Sequence, residues 1–136
     1  MKNSFNALCI SVEKDDDGEV STCASFSRVK ADLNEYYERI NCRCIDIAGI
    51  KIDGKYYDVI CDDEGLLKDG DIYCTIATPS GRVLIVGNVI ICHHNDEGEE
   101  TSITRAEAFN ILCNHTAFSI QNDHGILVII ADEPDW

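Results

Sequence analysis

Two Asp-Gly steps constrain this chain more than any other feature. Asp17-Gly18 and Asp53-Gly54 each stand between runs that alternate apolar and polar residues. A two-residue Asp-Gly loop suits the left-handed backbone of a tight antiparallel hairpin. Before the first step, residues 7–12 put Leu8, Ile10 and Val12 on one face, and residues 20–26 return as a second strand. Before the second, Ile45 and Ile47 share a face, and Ile50, Lys51 and Ile52 continue past Gly49, where a bulge is expected. Tyr56-Tyr57-Asp58-Val59-Ile60-Cys61 then pairs back, and Asp62-Asp63-Glu64-Gly65 closes the strand in a turn.

Further strands follow. Residues 72–78 are extended, Pro79-Ser80-Gly81 is a turn, and 83–86 and 89–92 form an apolar run broken only by Gly87-Asn88. A run apolar on both faces belongs at the centre of a sheet. Residues 118–120 and 126–130 form a last pair, joined by Asn122-Asp123-His124-Gly125. The tail from Asp132 to Trp136 is expected to be mobile unless Trp136 docks. No internal repeat or linker is evident.

Two helices are expected. Asp32 with Glu35, and Thr104 with Glu107, match the capping-box spacing. Leu33, Tyr36, Tyr37 and Ile40 share one helical face and Asn41 is a stop; Ala106, Phe109, Ile111, Leu112 and Cys113 bury one side of the second helix. These elements predict an α+β fold: a mostly antiparallel, hairpin-built sheet with two short helices packed on one side of it, in a single domain over 1–136.

Composition then bounds function. With 25 acidic against 11 basic residues the net charge is −14. Such a surface repels phosphate backbones and anionic membranes and favours basic partners, cations or simply solubility. The first residues, Met1 to Asn6, do not read as a basic region followed by an apolar run. The eight cysteines are therefore expected to be free thiols in a reducing cytoplasm, most of them buried.

No residue pattern names a reaction. Asp62, Asp63 and Glu64 gather charge that could meet a cation or a basic partner, but neighbours on a strand diverge, no calcium-loop spacing is present, and a turn explains them better. Cys92-His93-His94 and Cys113-x-His115 contain metal-ligand types without the cysteine knuckle of a zinc site. Cys92 beside His93 is no evidence of a nucleophile with its base, because adjacent side chains on a strand point apart. One member of each pair, Tyr36-Tyr37 and Tyr56-Tyr57, should face the core; the outward members, Tyr37 and Tyr56, are candidates for binding. No catalytic residue, metal or cofactor is expected.

The segment from Tyr36 to Ile91 resembles the family known as domain of unknown function 3846, found in phages and mobile elements of bacteria. The likeness rests on Ile45-Asp46-Ile47, on Cys61-Asp62-Asp63-Glu64-Gly65-Leu66-Leu67-Lys68, on Ile76-Ala77-Thr78 and on Val86-Gly87-Asn88-Val89. Lys68-Asp69-Gly70-Asp71 departs from the family's more apolar step. The resemblance implies a small phage or prophage accessory protein. Its expected role is a non-enzymatic binding module acting on a basic host protein, such as one of host defence. A small-ligand-sequestering protein, a carboxylate-based enzyme and a structural role in a phage particle remain the alternatives.

Overall fold

The computed structural model describes residues 4–64 and 70–134. Asp53 and Gly54 both take positive φ, 55° and 77°. The strands β3 (Ile45–Ile52) and β4 (Lys55–Asp62) therefore close through a two-residue loop. Pairing runs unbroken from Ile52↔Lys55 to Ile45↔Asp62, so the bulge expected at Gly49 does not form. The first Asp-Gly behaves differently. Only Gly18 is left-handed there, and residues 15–19 make a longer loop between β1 (Ser4–Lys14) and β2 (Val20–Lys30).

Asp15 organises that loop. Its carboxylate accepts the N–H groups of Asp17 and Glu19, its own N–H donates to the Glu19 carbonyl, and its carbonyl accepts from Gly18. Asn95 makes the same four bonds to Glu97, Glu99 and Gly98. Asp-Asp-Asp-Gly-Glu and Asn-Asp-Glu-Gly-Glu are thus one turn used twice, a local repeat that the linear reading passed over.

The strands form two sheets. The first has the order β2-β1-β7-β4-β3, with β7 spanning Val89–His94 and the short β8 (Glu100–Thr101) paired to its end. The second joins β6 (Val83–Val86), β5 (Cys74–Ala77), β10 (His124–Ile130) and β9 (Thr116–Gln121), in that order. Among the described strands, only β5 and β10 pair in parallel. The fold is α+β and mainly antiparallel, as expected, but with two sheets.

The apolar run 83–92 is divided between them. Residues 89–92 do lie at the centre of the first sheet, whereas 83–86 form an edge of the second. Gly87, at φ 82°, carries the chain across. Its N–H donates to the Tyr73 carbonyl at 2.9 Å, and its carbonyl accepts the Thr75 hydroxyl at 2.7 Å. The Asn88 side chain accepts the Val12 N–H at 2.7 Å and donates to the Ile40 carbonyl at 3.2 Å.

Alternation along the first sheet produces two apolar faces. Phe5, Ala7, Ile60, Ile90 and Cys92 meet Tyr36 and Ile40 of α1 (Leu33–Ile40). Leu8, Ile10, Val59 and Ile91 meet Ala108 and Ile111 of α2 (Arg105–Asn114), together with Ile76 and Ile129 of the second sheet. The helices therefore sit on opposite faces, which corrects the one-sided packing expected: a sheet apolar on both faces needs cover on both. Leu33 and Phe109, expected in the buried faces, are 54% and 68% exposed. The buried contacts of α1 fall on Tyr36 and Ile40, and those of α2 on Ala108 and Ile111.

Candidate functional site

The tyrosine pairs divide as alternation requires. Tyr36 and Tyr57 are buried, Tyr37 is half-buried on α1, and Tyr56 is 69% exposed. Lys51, the cross-strand partner of Tyr56, places its Nζ 4.9 Å from the centre of the Tyr56 ring. The two residues line a cavity of about 410 Å³ along the outer edge of β3.

The geometry of that edge follows from the hairpin. Residues flanking a two-residue loop form a hydrogen-bonded pair, so Ile52, Ile50 and Ala48 aim their backbone groups at β4. Lys51 and Gly49 aim theirs outward. The Lys51 carbonyl is met there by the Asp132 N–H at 2.7 Å. Gly49 faces the cavity, and among the described residues nothing lies within 4 Å of the position a Cβ would take. Leu84 and Ile85 of β6 form the opposite wall, and residues 132–134 close one end.

Two carboxylates fix that end. Asp132 accepts the N–H groups of Asp53 and Gly54 at 3.1 and 2.8 Å. Glu133 accepts the N–H and hydroxyl of Ser80 at 2.9 and 3.0 Å. The Ser80 N–H is the main reason its carboxyl lies below the usual range. The mobile tail expected from sequence is thus tied down at Asp132 and Glu133, while Asp135 and Trp136 lie outside the described residues.

The other sequence candidates lie elsewhere. Asp62 ends β4, roughly 20 Å along the strand from Tyr56 at about 3.3 Å per residue. Its carboxylate accepts the Glu64 N–H at 3.0 Å, the bond of an Asx turn. The Asp63 N–H donates to the Cys44 carbonyl, and Gly65 falls outside the described residues. Asp62, Asp63 and Glu64 are therefore a turn, Tyr37 belongs to the α1 side of the sheet, and Tyr56 alone of the five lines the cavity.

The three acidic turns, at residues 15–17, 62–64 and 96–100, do not all lie at one end of the first sheet. Leu8 pairs with Ile91 and Asp58 with Cys92. These registers put residues 15–17 and 62–64 at one end of the first sheet and 96–100 at the other.

A second group of ionisable side chains escaped the sequence reading. Glu107 receives Lys55 Nζ at 2.6 Å and lies 2.8 Å from His93 Nε2, both at Oε2, while its Oε1 accepts the Thr104 N–H at 2.7 Å. The His93 ring stacks on Tyr57 with centroids 4.9 Å apart. Burial alone would push the Glu107 carboxyl up. Hydrogen bonds from Lys55, Thr104 and His93, with the charge on His93, outweigh burial and hold it at about 2. Burial, then the Glu107 charge, pushes the Tyr57 hydroxyl up to about 12. With both oxygens held, Glu107 ties α2 to β4 and β7. The capping-box spacing was its only signal in the sequence.

All eight cysteines are free, but Cys61 and Cys92 alone are buried, and Cys23, Cys44 and Cys113 are exposed. The expectation that most are buried fails, because an apolar setting in sequence does not fix which way a side chain points. Burial pushes the Cys61 and Cys92 thiols up to about 11 and about 12. Cys92 faces α1, whereas His93 turns to the opposite face of β7 and Glu107. His94 pairs with Asp58 at 2.5 Å, and His115 Nε2 lies 4.0 Å from Asp53. Among the described residues no three His, Cys, Asp or Glu side chains come together to hold a metal ion, and no helix is long and apolar enough to cross a membrane.

A family model described as Domain of unknown function (DUF3846) matches residues 10–113. The match reaches well beyond the 36–91 segment in both directions, from β1 to α2. No curated protein and no solved structure matches the chain.

Proposed function

The chain belongs to the domain of unknown function 3846 family, and on that premise we propose that it is a small non-enzymatic binding module of a phage, prophage or mobile element. It grips a host protein in the cytoplasm, at the cleft beside β3. The observation that carries this reading is the cavity of about 410 Å³ along an outward-facing strand edge. An extended segment laid there gains backbone bonds from Gly49, while alternate side chains enter the cavity between Leu84 and Tyr56. A glycine at the centre of the edge lets another backbone approach closely. The net charge of −14 draws basic partners and makes the encounter sensitive to salt.

The test is capture from host lysate on the immobilised chain. A specific protein should be retained at low salt, weakened at raised salt, and lost on Tyr56→Ala or Leu84→Lys. Retention unchanged by both substitutions would remove the cleft from the reading. Charge reversal at Asp62, Asp63 and Glu64 should slow association only, because those residues lie at the far end of β4.

A second reading rests on the same volume. A cavity of this size suits a small molecule, largely apolar and with a planar part to set against the Tyr56 ring. Native mass spectrometry of the purified protein separates the two: a bound small molecule, displaced in the Leu84→Lys variant, favours sequestration. The carboxylate-enzyme alternative draws no support from Glu107, whose two oxygens are already engaged.

A further inference from the structure

The edges of the two sheets are not treated alike. On β2, the Val20 N–H donates to His124 Nδ1, the Leu127 N–H of β10 donates to Thr22 Oγ1, and Arg39 covers the Arg28 carbonyl. On β3, Asp132 and the Asp46 side chain take up backbone groups. The edge strand β6 is short, Val83–Val86. Among the described residues, the fourth edge, β9, has none of these protections. Its sequence, Thr-Ala-Phe-Ser-Ile-Gln, carries no charge. Phe118 and Ile120 share a face and are 78% and 76% exposed. Opposite Ile120 stands Gly125, and among the described residues nothing lies within 4 Å of where its Cβ would be.

Backbone parity makes β9 an open edge. Asn122 and Asp123 both take positive φ, 50° and 67°, so β9 and β10 join through a two-residue loop, shorter than the four-residue connection read from sequence. Gln121 and His124 are then a hydrogen-bonded pair, as are Ser119 with Ile126 and Ala117 with Val128. The N–H and carbonyl groups of Phe118 and Ile120 therefore point away from the sheet. Such an edge is a template for another strand.

We propose that β9 pairs antiparallel with β9 of a second copy of this chain, about a two-fold axis at Ser119. Phe118 of each copy stands opposite Ile120 of the other, and the two pairs exchange about four backbone hydrogen bonds. The apolar side chains meet on one face, and the second sheets of the two copies become one continuous sheet. The uncharged composition of the strand selects this occupant against the repulsion of the chains as wholes. The chain as a whole is set for basic partners, yet β9 offers them no carboxylate, and an uncharged edge suits another uncharged edge. A two-fold contact of like strands also closes on itself, so pairing stops at two copies. The strand lies beyond the matched span 10–113 and is separate from the β3 cleft.

The measurement is sedimentation of the full chain over a wide concentration range. A monomer–dimer equilibrium is expected, and Phe118→Lys or Ile120→Lys should raise its dissociation constant about tenfold or more. Both side chains are exposed, so these variants should keep the wild-type circular dichroism. Raised salt should strengthen the dimer, because two chains of charge −14 repel one another. That sign is opposite to the one expected at the cleft, so failure here and failure of the cleft reading can be told apart. Ser119→Cys supplies a second readout. Directly opposed across the axis in a non-hydrogen-bonded pair, the two thiols should be oxidised by added glutathione disulfide, itself reduced to two thiols, to a covalent dimer mapped to residue 119, a link the wild-type chain does not form. A chain monomeric at every concentration, a dimer indifferent to both lysine variants, or cross-linking elsewhere would overturn the proposal.

Discussion

The two helices begin with the same sequence device and use it differently. In α2 the box is complete: the Thr104 hydroxyl accepts the Glu107 N–H at 3.0 Å, and Glu107 accepts the Thr104 N–H in return. In α1 Asp32 caps by accepting the Asn34 N–H at 2.8 Å, but Glu35 does not return the bond. It reaches back to the Lys30 N–H at 3.4 Å and sideways to Arg39 at 3.2 Å. The spacing therefore locates a helix start without saying what its glutamate will do. Glu35 stays with partners from its own neighbourhood, whereas Glu107 meets Lys55 and His93, which the sheet brings from far along the chain.

The largest expected effect comes from removing that difference. Glu107→Ala strips a cap bond and leaves Lys55 and His93 without their acceptor, at a cost of about 2–3 kcal/mol in urea unfolding. Glu35→Ala should cost about 0.5 kcal/mol or less, the scale of a helix-surface pair. Equal losses would show that Glu107 is no more than a local cap.

Acid should separate the two helices as well. The Glu107 carboxyl is held at about 2 against an ordinary value of 4.5. A depressed carboxyl adds stability that is present above its unfolded value and is lost as pH falls through its folded one. The window is thus from about 4.5 down to about 2. Allowing for solvent screening, about 1–2 kcal/mol should disappear across it. Glu107→Gln should flatten that part of the stability–pH curve, and an unchanged slope would locate the acid sensitivity elsewhere.

At the caps themselves the helices should agree. Thr104→Ala and Asp32→Ala are each expected to cost about 1 kcal/mol, since each loses one side-chain-to-backbone bond. A much larger loss at Thr104 would mean that the box holds Glu107 in place for Lys55 and His93. The smallest effect is expected at Leu33→Ala, within about 0.5 kcal/mol, because that side chain is 54% exposed. A loss of core size would place Leu33 against α1's buried contacts after all.

The same contrast explains what could be read from the sequence. Features whose causes lie within about four residues were legible: the Asp53-Gly54 turn, both helix starts, the Asn41 stop at φ 61°, and the inward and outward members of each tyrosine pair. Features set by distant partners were not. A run such as 83–92 carries apolar residues on both faces, so its pattern cannot say that Gly87 divides it between sheets. Nor does alternation say which face a later helix will cover, which is how α1 and α2 came to be expected on one side. Tyr56 was found as an outward aromatic, but its cavity exists only because the distant residues 132–134 meet β3. Exposure of Cys44 and Cys113 is set by the local direction of the backbone, which apolar neighbours in sequence do not determine.

The crossing at Gly87-Asn88 has a consequence for how the molecule opens. Within two residues it holds β1 at Val12, the loop at Tyr73, β5 at Thr75 and the end of α1 at Ile40. At this crossing neither sheet can open without breaking bonds that belong to the other. The amides of Val12 and Gly87 should therefore exchange with deuterium only through global unfolding, in the slowest class, and both sheets should melt as one cooperative unit.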